Sequence, residues 1–158
     1  MSRQSLSHDA AVIREVARAV HQFDGYEALV DMAGEAHFVL IGEASHGTRE
    51  FYTTGAELTR RLIQEKGFHA VALEADWPDT FRVPRFVSGD GHDARAEEAL
   101  GDFRRFPAWM WRNTVMVEFV DWLRRWNGRS GGDRGRAGLY RGLGAQFPSG
   151  RCARHRNG

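Results

Sequence analysis

HFVLIGEASHGTREFYTTGAELTRRLIQEKGFHAVALEAD, residues 37–76, is the stretch on which the fold assignment turns. It opens with a continuous apolar and β-branched run, His37 to Ile41, and closes with a second, Phe68 to Leu73. A run with neither face polar predicts a strand covered on both sides. Between the two, Thr48 to Lys66 reads as a helix, with Thr48 as N-cap, acidic Glu50 in the first turn, basic Lys66 in the last and Gly67 just past the end. Strand, helix and strand within roughly 40 residues predict a βαβ unit, whose strands run parallel and whose crossover is right-handed.

The flanks are helical. Val12, Ile13, Val16, Ala17 and Val20 recur at helical spacing between Ala10 and His21, behind Ser7 or Asp9 as N-cap, and a second, shorter helix is predicted from Tyr26 to Met32. Beyond the βαβ unit, Trp77 to Val87 reads as a helix that Pro84 should kink or end, Ala94 to Leu100 as a short helix, and Pro107 to about Trp126 as a long one. The fold class expected is therefore α/β, helix-rich, with a short parallel sheet.

Two regions differ in composition. Residues 1–127 hold 15 Lys and Arg against 20 Asp and Glu, whereas residues 128–158 hold 7 against 1, and 9 Gly with 7 Arg fill over half of that tail. The body is read as one domain and the tail, which lacks apolar periodicity, as unstructured. The body uses 14 Arg and one Lys, as GC-rich coding DNA would, and an out-of-frame read of such DNA yields excess Gly, Arg and Ala; a frameshift or premature end is the expectation for the tail. Basic residues there show no regular aromatic interleaving, so no nucleic-acid partner is expected. Cys152 is the single cysteine, which excludes an internal disulfide and suits the cytoplasm. No apolar run of signal-peptide or membrane-spanning length occurs, so neither export nor a membrane partner is expected.

The chemistry-bearing residues cluster at predicted strand ends, where open α/β sheets bind ligands. The first strand runs into Gly42-Glu43-Ala44-Ser45-His46-Gly47 and the second into Glu74-Ala75-Asp76, so parallel pairing would bring Glu43, His46 and Glu74 to one edge. Strands ~4.8 Å apart would set those groups within about 10 Å. Glycines 42 and 47 would let the backbone turn tightly and approach a ligand. A carboxylate beside an imidazole holds its tautomer, an arrangement that suits a histidine taking a proton from water, and the reaction implied is hydrolysis. Plainer roles compete: Glu43 as a helix-capping carboxylate and His46 as a hydrogen-bonded loop residue. Ser45 is outside any G-x-S-x-G elbow and reads as a turn residue. His92 lies in a turn-rich, solvent-facing loop. Arg104, Arg105 and Arg112 flank FPAWMW and suit either an anion or carbonyl clamp or a charged surface, while Trp109 and Trp111 read as core. The same Glu and His side chains are possible ligands of a divalent metal, although the spacing is not HExxH. A non-catalytic module binding metal or another ligand through this cluster is the alternative to an enzyme.

LIGEASHGTREFY, RLIQEKGFHAVALEADWPDTFRVPRFV, AEEALGDFRRFPAWMWRN and FVDWLRRWN together resemble the N-terminal part of the erythromycin esterase family, over about residues 13–127. The resemblance implies an α/β hydrolase that opens an ester or macrolide lactone with histidine-activated water, a response to antibiotic. It assigns His46 as base with Glu43 and Glu74 as polar partners and no cofactor; Arg49 and Asp76 match motif positions, and with Arg112 they are the candidate substrate contacts. A wider group with a similar glutamate and histidine binds metal or haem, which keeps the divalent metal as the alternative. Two departures stand out: Pro84 replaces an expected asparagine, and the family is more than twice as long. GRAGLYRGLGAQF resembles a damaged form of the family's next strand. A truncated, inactive or weakly active and poorly soluble chain is the resulting expectation, with its oligomeric state open.

Overall fold

The computed structural model describes residues 10–11, 24–75, 77–105, 108–129 and 138–139. The chain divides into two compact units, Met1–Ile41 and Gly42–Gly158.

In the first unit, α1 (Asp24–Ala33) spans the expected second helix. Tyr26, Val30 and Ala33, at steps of four and three, form its buried face. Gly34, at φ 48°, ends it and donates to Asp31 O at 3.0 Å. Of the expected first helix, only Ala10 and Ala11 are described, and both are helical; the remainder lies outside the described residues.

His37–Ile41 is a correction. The run forms no strand, and Phe38 and Leu40 are 84% and 91% exposed. An apolar run becomes a strand only when a neighbouring backbone takes up its N–H and C=O groups, and intrinsic preference cannot supply that neighbour. The βαβ unit drawn from residue 37 therefore does not form.

The second unit supplies a parallel pair of different membership. β1 (Ala70–Val71) pairs with β2 (Gly138–Leu139), in register Ala70 with Gly138 and Val71 with Leu139. The helix-rich architecture with a short parallel sheet is thus present, but the partner comes from the Gly/Arg-rich stretch. Strand-like alternation runs past β1: Val71, Leu73 and Ala75 pack on the core while Ala72 and Glu74 are exposed.

α2 (Arg49–Lys66) has the expected ends. Gly67 adopts φ 72°, a left-handed position a side chain would strain, and its N–H returns to Leu62 O. Thr48 occupies the N-cap, but its hydroxyl bonds Ser45 Oγ at 2.8 Å and makes no cap bond.

The helix expected over residues 77–87 is broken in two, α3 (Trp77–Thr80) and α4 (Arg82–Ser88). Thr80, where α3 stops, is the residue whose carbonyl a proline ring at 84 would strike. Restarting at Arg82 places Pro84 in the first turn of α4, where backbone N–H groups have no intrahelical partner. Arg82 then ties the start of α4 to Asp93 and, at 3.2 Å, to Asp102.

α5 (Ala96–Ala99) precedes a 3-10 turn (Ala108–Met110) and α6 (Thr114–Arg129). α6 begins seven residues later than Pro107 suggested, because Asn113 caps it: Asn113 Oδ1 accepts from Met116 N at 2.9 Å, and its amide donates to Met110 O at 3.1 Å. Val115, Phe119, Val120 and Leu123 present a buried stripe to Val83, Phe86 and Val87 of α4, together with Ile63 of α2 and Leu100. Each such side chain contributes about 1.5–3 kcal/mol on full burial. Two polar side chains of α6 fasten the packing. Arg124 Nη1 donates to Phe86 O at 3.0 Å with its guanidinium 4.3 Å from the Phe86 ring, and buried Asn127 donates to Val87 O at 2.9 Å. They add to the end of α4, where Phe86 O also accepts from the Gly89 N–H at 3.1 Å and the last carbonyls have no further turn of helix to donate to them.

Candidate active site

The loop Gly42–Thr48 enters α2 and holds the local part of the predicted site. His46 Nδ1 is hydrogen-bonded to Glu43 Oε1 across three residues. A carboxylate accepts and does not donate, so the proton of the neutral ring sits on Nδ1 and Nε2 is bare. The pair is open to solvent, with the His46 side chain 59% exposed and that of Glu43 27%. Ser45 spends its hydroxyl on Thr48, which matches a turn residue.

Gly47 shapes the loop. Its φ is 81°, and a Cβ placed there would come within 2.9 Å of the Trp109 ring. The indole sits close enough to this bare Cα to occupy the space any other residue would need. Gly42 has no positive φ and open space around it, so the tight turn expected of both glycines belongs to Gly47. Trp109, read from the sequence as core, is instead 45% exposed at the loop. Trp111 does pack on the core, 6.3 Å from Phe103. The signal for Trp109 was its place in a loop between Pro107 and Asn113, outside any helical stripe.

Tyr52 was not singled out by the sequence. Its hydroxyl oxygen is buried and has no hydrogen-bond partner among the described residues. Burial pushes this phenol above its ordinary range, the Gly47 backbone opposes that, and the nearby Glu43 charge adds to the rise.

The other predicted residues are more dispersed. Glu74 is exposed, on the face of its strand-like segment turned from the core, and no hydrogen bond or ion pair joins it to His46 among the described residues. The parallel pairing meant to bring it there required His37–Ile41 as a strand. Arg49 opens α2 and Arg112 precedes α6, both exposed; Arg104, Arg105 and His92 are exposed as well. Asp76 lies outside the described residues. Glu43 and His46 supply two metal-type donors, and no group of three or more His, Cys, Asp or Glu forms among the described residues. Nor is any described helix long and apolar enough to cross a membrane.

A profile of the family described as Erythromycin esterase matches residues 63–147, over half of the chain. The chain belongs to the erythromycin esterase family. The family match contains Glu74, Trp109 and Arg112, starts within α2, after Glu43 and His46, and continues past residue 127 through β2. A protein from Escherichia coli named erythromycin esterase type II is 26% identical over 105 residues, covering 66% of this chain and 23% of that relative. The chain thus spans about a quarter of that family member's length. No solved structure matches it.

Proposed function

We propose that this chain carries the N-terminal share of an erythromycin esterase-like active site, in which His46 is the general base for water attacking a carboxylic ester or macrolide lactone. The hydrogen bond between Glu43 and His46 carries the reading. It holds the imidazole with Nε2 free, and an exposed base oriented by a carboxylate is the arrangement that proton abstraction from water requires. Family membership supports the ester as substrate class, and the E. coli relative's name supports a macrolide. Glu74 as a partner of His46 and Arg49 and Asp76 as substrate contacts stand on the family resemblance, and Arg112 on its place beside Trp111. The share of the relative that this chain covers supports low activity for the chain by itself, and the single cysteine supports a cytoplasmic setting.

The test is hydrolysis of erythromycin and of p-nitrophenyl butyrate, followed by mass spectrometry for the gain of one water. His46→Ala should remove the activity, and Glu43→Gln should reduce it by about 10²–10⁴-fold, the range of a positioned general base. Equal hydrolysis by wild type and His46→Ala would remove His46 from the mechanism.

A further inference from the structure

The loop that holds His46 is also where the second unit leaves apolar surface uncovered. The exposed large hydrophobic residues among those described in that unit are Phe51, Phe81 and Trp109. Two of them adjoin the loop: Phe51 sits in the first turn of α2, its N–H donating to Thr48 O at 3.1 Å, and Trp109 lies on Gly47. The indole meets this residue, the one after His46, with its six-membered ring, Cζ3 and Cη2 standing 2.9 and 3.2 Å from where a Gly47 Cβ would be. With consecutive Cα atoms ~3.8 Å apart, that edge lies within about 8 Å of the His46 Cα. Trp109 stays 45% exposed, although Trp111, two residues on, packs on the core. Its position is set from two sides. Asn113 Nδ2 donates to Trp109 O at 3.3 Å and to Met110 O at 3.1 Å, and Gly47 offers the ring a seat that no Cβ could share. A held aromatic ring, open to solvent beside an oriented base, is the kind of surface that lines small-molecule sites, where a few polar groups direct the ligand and apolar rings retain it.

We propose that Trp109 is the specificity-determining platform of this site: its exposed indole holds the apolar acyl part of the ester that His46-activated water attacks, so that the substrates are esters with an extended apolar acyl chain or ring. This rests on the esterase reading above and deepens it. The His46 side chain is 59% exposed and Trp109 45%, so a ligand arriving from solvent meets both. An acyl chain a few carbons long spans the gap between them. Each methylene laid on the ring leaves water, a gain that short acyl groups forgo. The indole turns about only two side-chain torsions and its turn is already clamped, so little freedom is lost when the chain settles on it. A contact this far from the reacting carbonyl is the same in the ground state and the transition state. It therefore lowers KM and leaves kcat unchanged.

The experiment compares wild type, Trp109→Phe and Trp109→Ala on the p-nitrophenyl esters of acetate, butyrate, hexanoate and octanoate, and titrates each 15N-labelled protein with octanamide, which has the longest of these acyl chains and no ester bond. The five tryptophans give five indole N–H resonances, and Trp109→Phe identifies that of residue 109 by its loss. In wild type kcat/KM should rise about twofold per methylene, as half-burial against one ring face gives. Trp109→Ala should flatten that rise through KM, with kcat within about twofold of wild type, and Trp109→Phe should keep part of it. Octanamide should move the residue 109 resonance more than the other four and bind Trp109→Ala at least about fivefold more weakly. A chain-length dependence absent from wild type or intact in Trp109→Ala, an equal loss at every chain length marking the ring as structural, or a residue 109 resonance that octanamide leaves in place would each overturn the proposal. If wild type hydrolyses none of the esters yet octanamide moves that resonance and binds Trp109→Ala more weakly, the platform stands and the hydrolytic reading falls.

Discussion

At Gly47, two constraints meet on one Cα: a left-handed φ of 81° and the Trp109 ring 2.9 Å from where a Cβ would sit. Gly47→Ala should therefore destabilise the chain by roughly 2–3 kcal/mol, combining backbone strain with overpacking. Urea unfolding checks this. Trp109→Ala in the same chain should recover the steric part and leave the backbone part, whereas a Gly47→Ala variant as stable as wild type would refute the close approach. Tyr52 adds a pH signature. Its folded pKa is raised, by burial foremost, so the folded state holds the phenol proton more tightly than the unfolded chain. The associated stability is complete below the unfolded phenol value of about 10 and is lost as pH rises through the higher folded value. Chemical denaturation from pH 9 to 11 should show wild type losing more stability than Tyr52→Phe; parallel curves would contradict the shift. The Glu43–His46 contact was legible from spacing, since three residues in a turn cannot separate far. Trp109 on Gly47 was not, because 62 positions separate them and no periodicity encodes that approach.

Among the elements, helix existence was readable and helix ends were readable only where a local cap sets them. Gly67 closes α2 as expected because the left-handed stop needs nothing from elsewhere. α6 shows the converse: Pro107 suits a helix start, yet Asn113 offers the stronger cap and also clamps the preceding turn through Trp109 O and Met110 O. The capping amide thereby holds the turn that carries the indole onto the Gly42–Thr48 loop. α4 depends on α6 for its end. Removing the buried donor with Asn127→Ala leaves Val87 O unpaired and should cost about 1–3 kcal/mol. Exposed Arg125→Ala on the same helix should stay within about 0.5 kcal/mol of wild type. Equal effects of the two in denaturant titrations would remove Asn127 from its fastening role.

Over the whole molecule, the exposed run Phe38, Leu40 and Ile41, which lies outside any strand, is an apolar surface of a kind that favours association. Replacing Phe38 and Leu40 with Lys should raise solubility in light-scattering titrations with little change in Tm; increased stability loss instead would mean the run is buried. The sequence alone determined the helical stripes, the caps at Gly67 and the contact of His46 with Glu43, all properties of residues within one or two turns of each other. It also supported the helix-rich class with a parallel pair and the family, since the order of apolar runs is written along the chain. Only the tertiary structure decided which strands pair. β1 takes Gly138–Leu139, from a stretch whose composition masks a strand, and His37–Ile41 takes none. The reason is physical: a strand is stabilised by hydrogen bonds to a neighbour, and the neighbour's identity is a long-range choice that a local run of apolar residues permits without specifying.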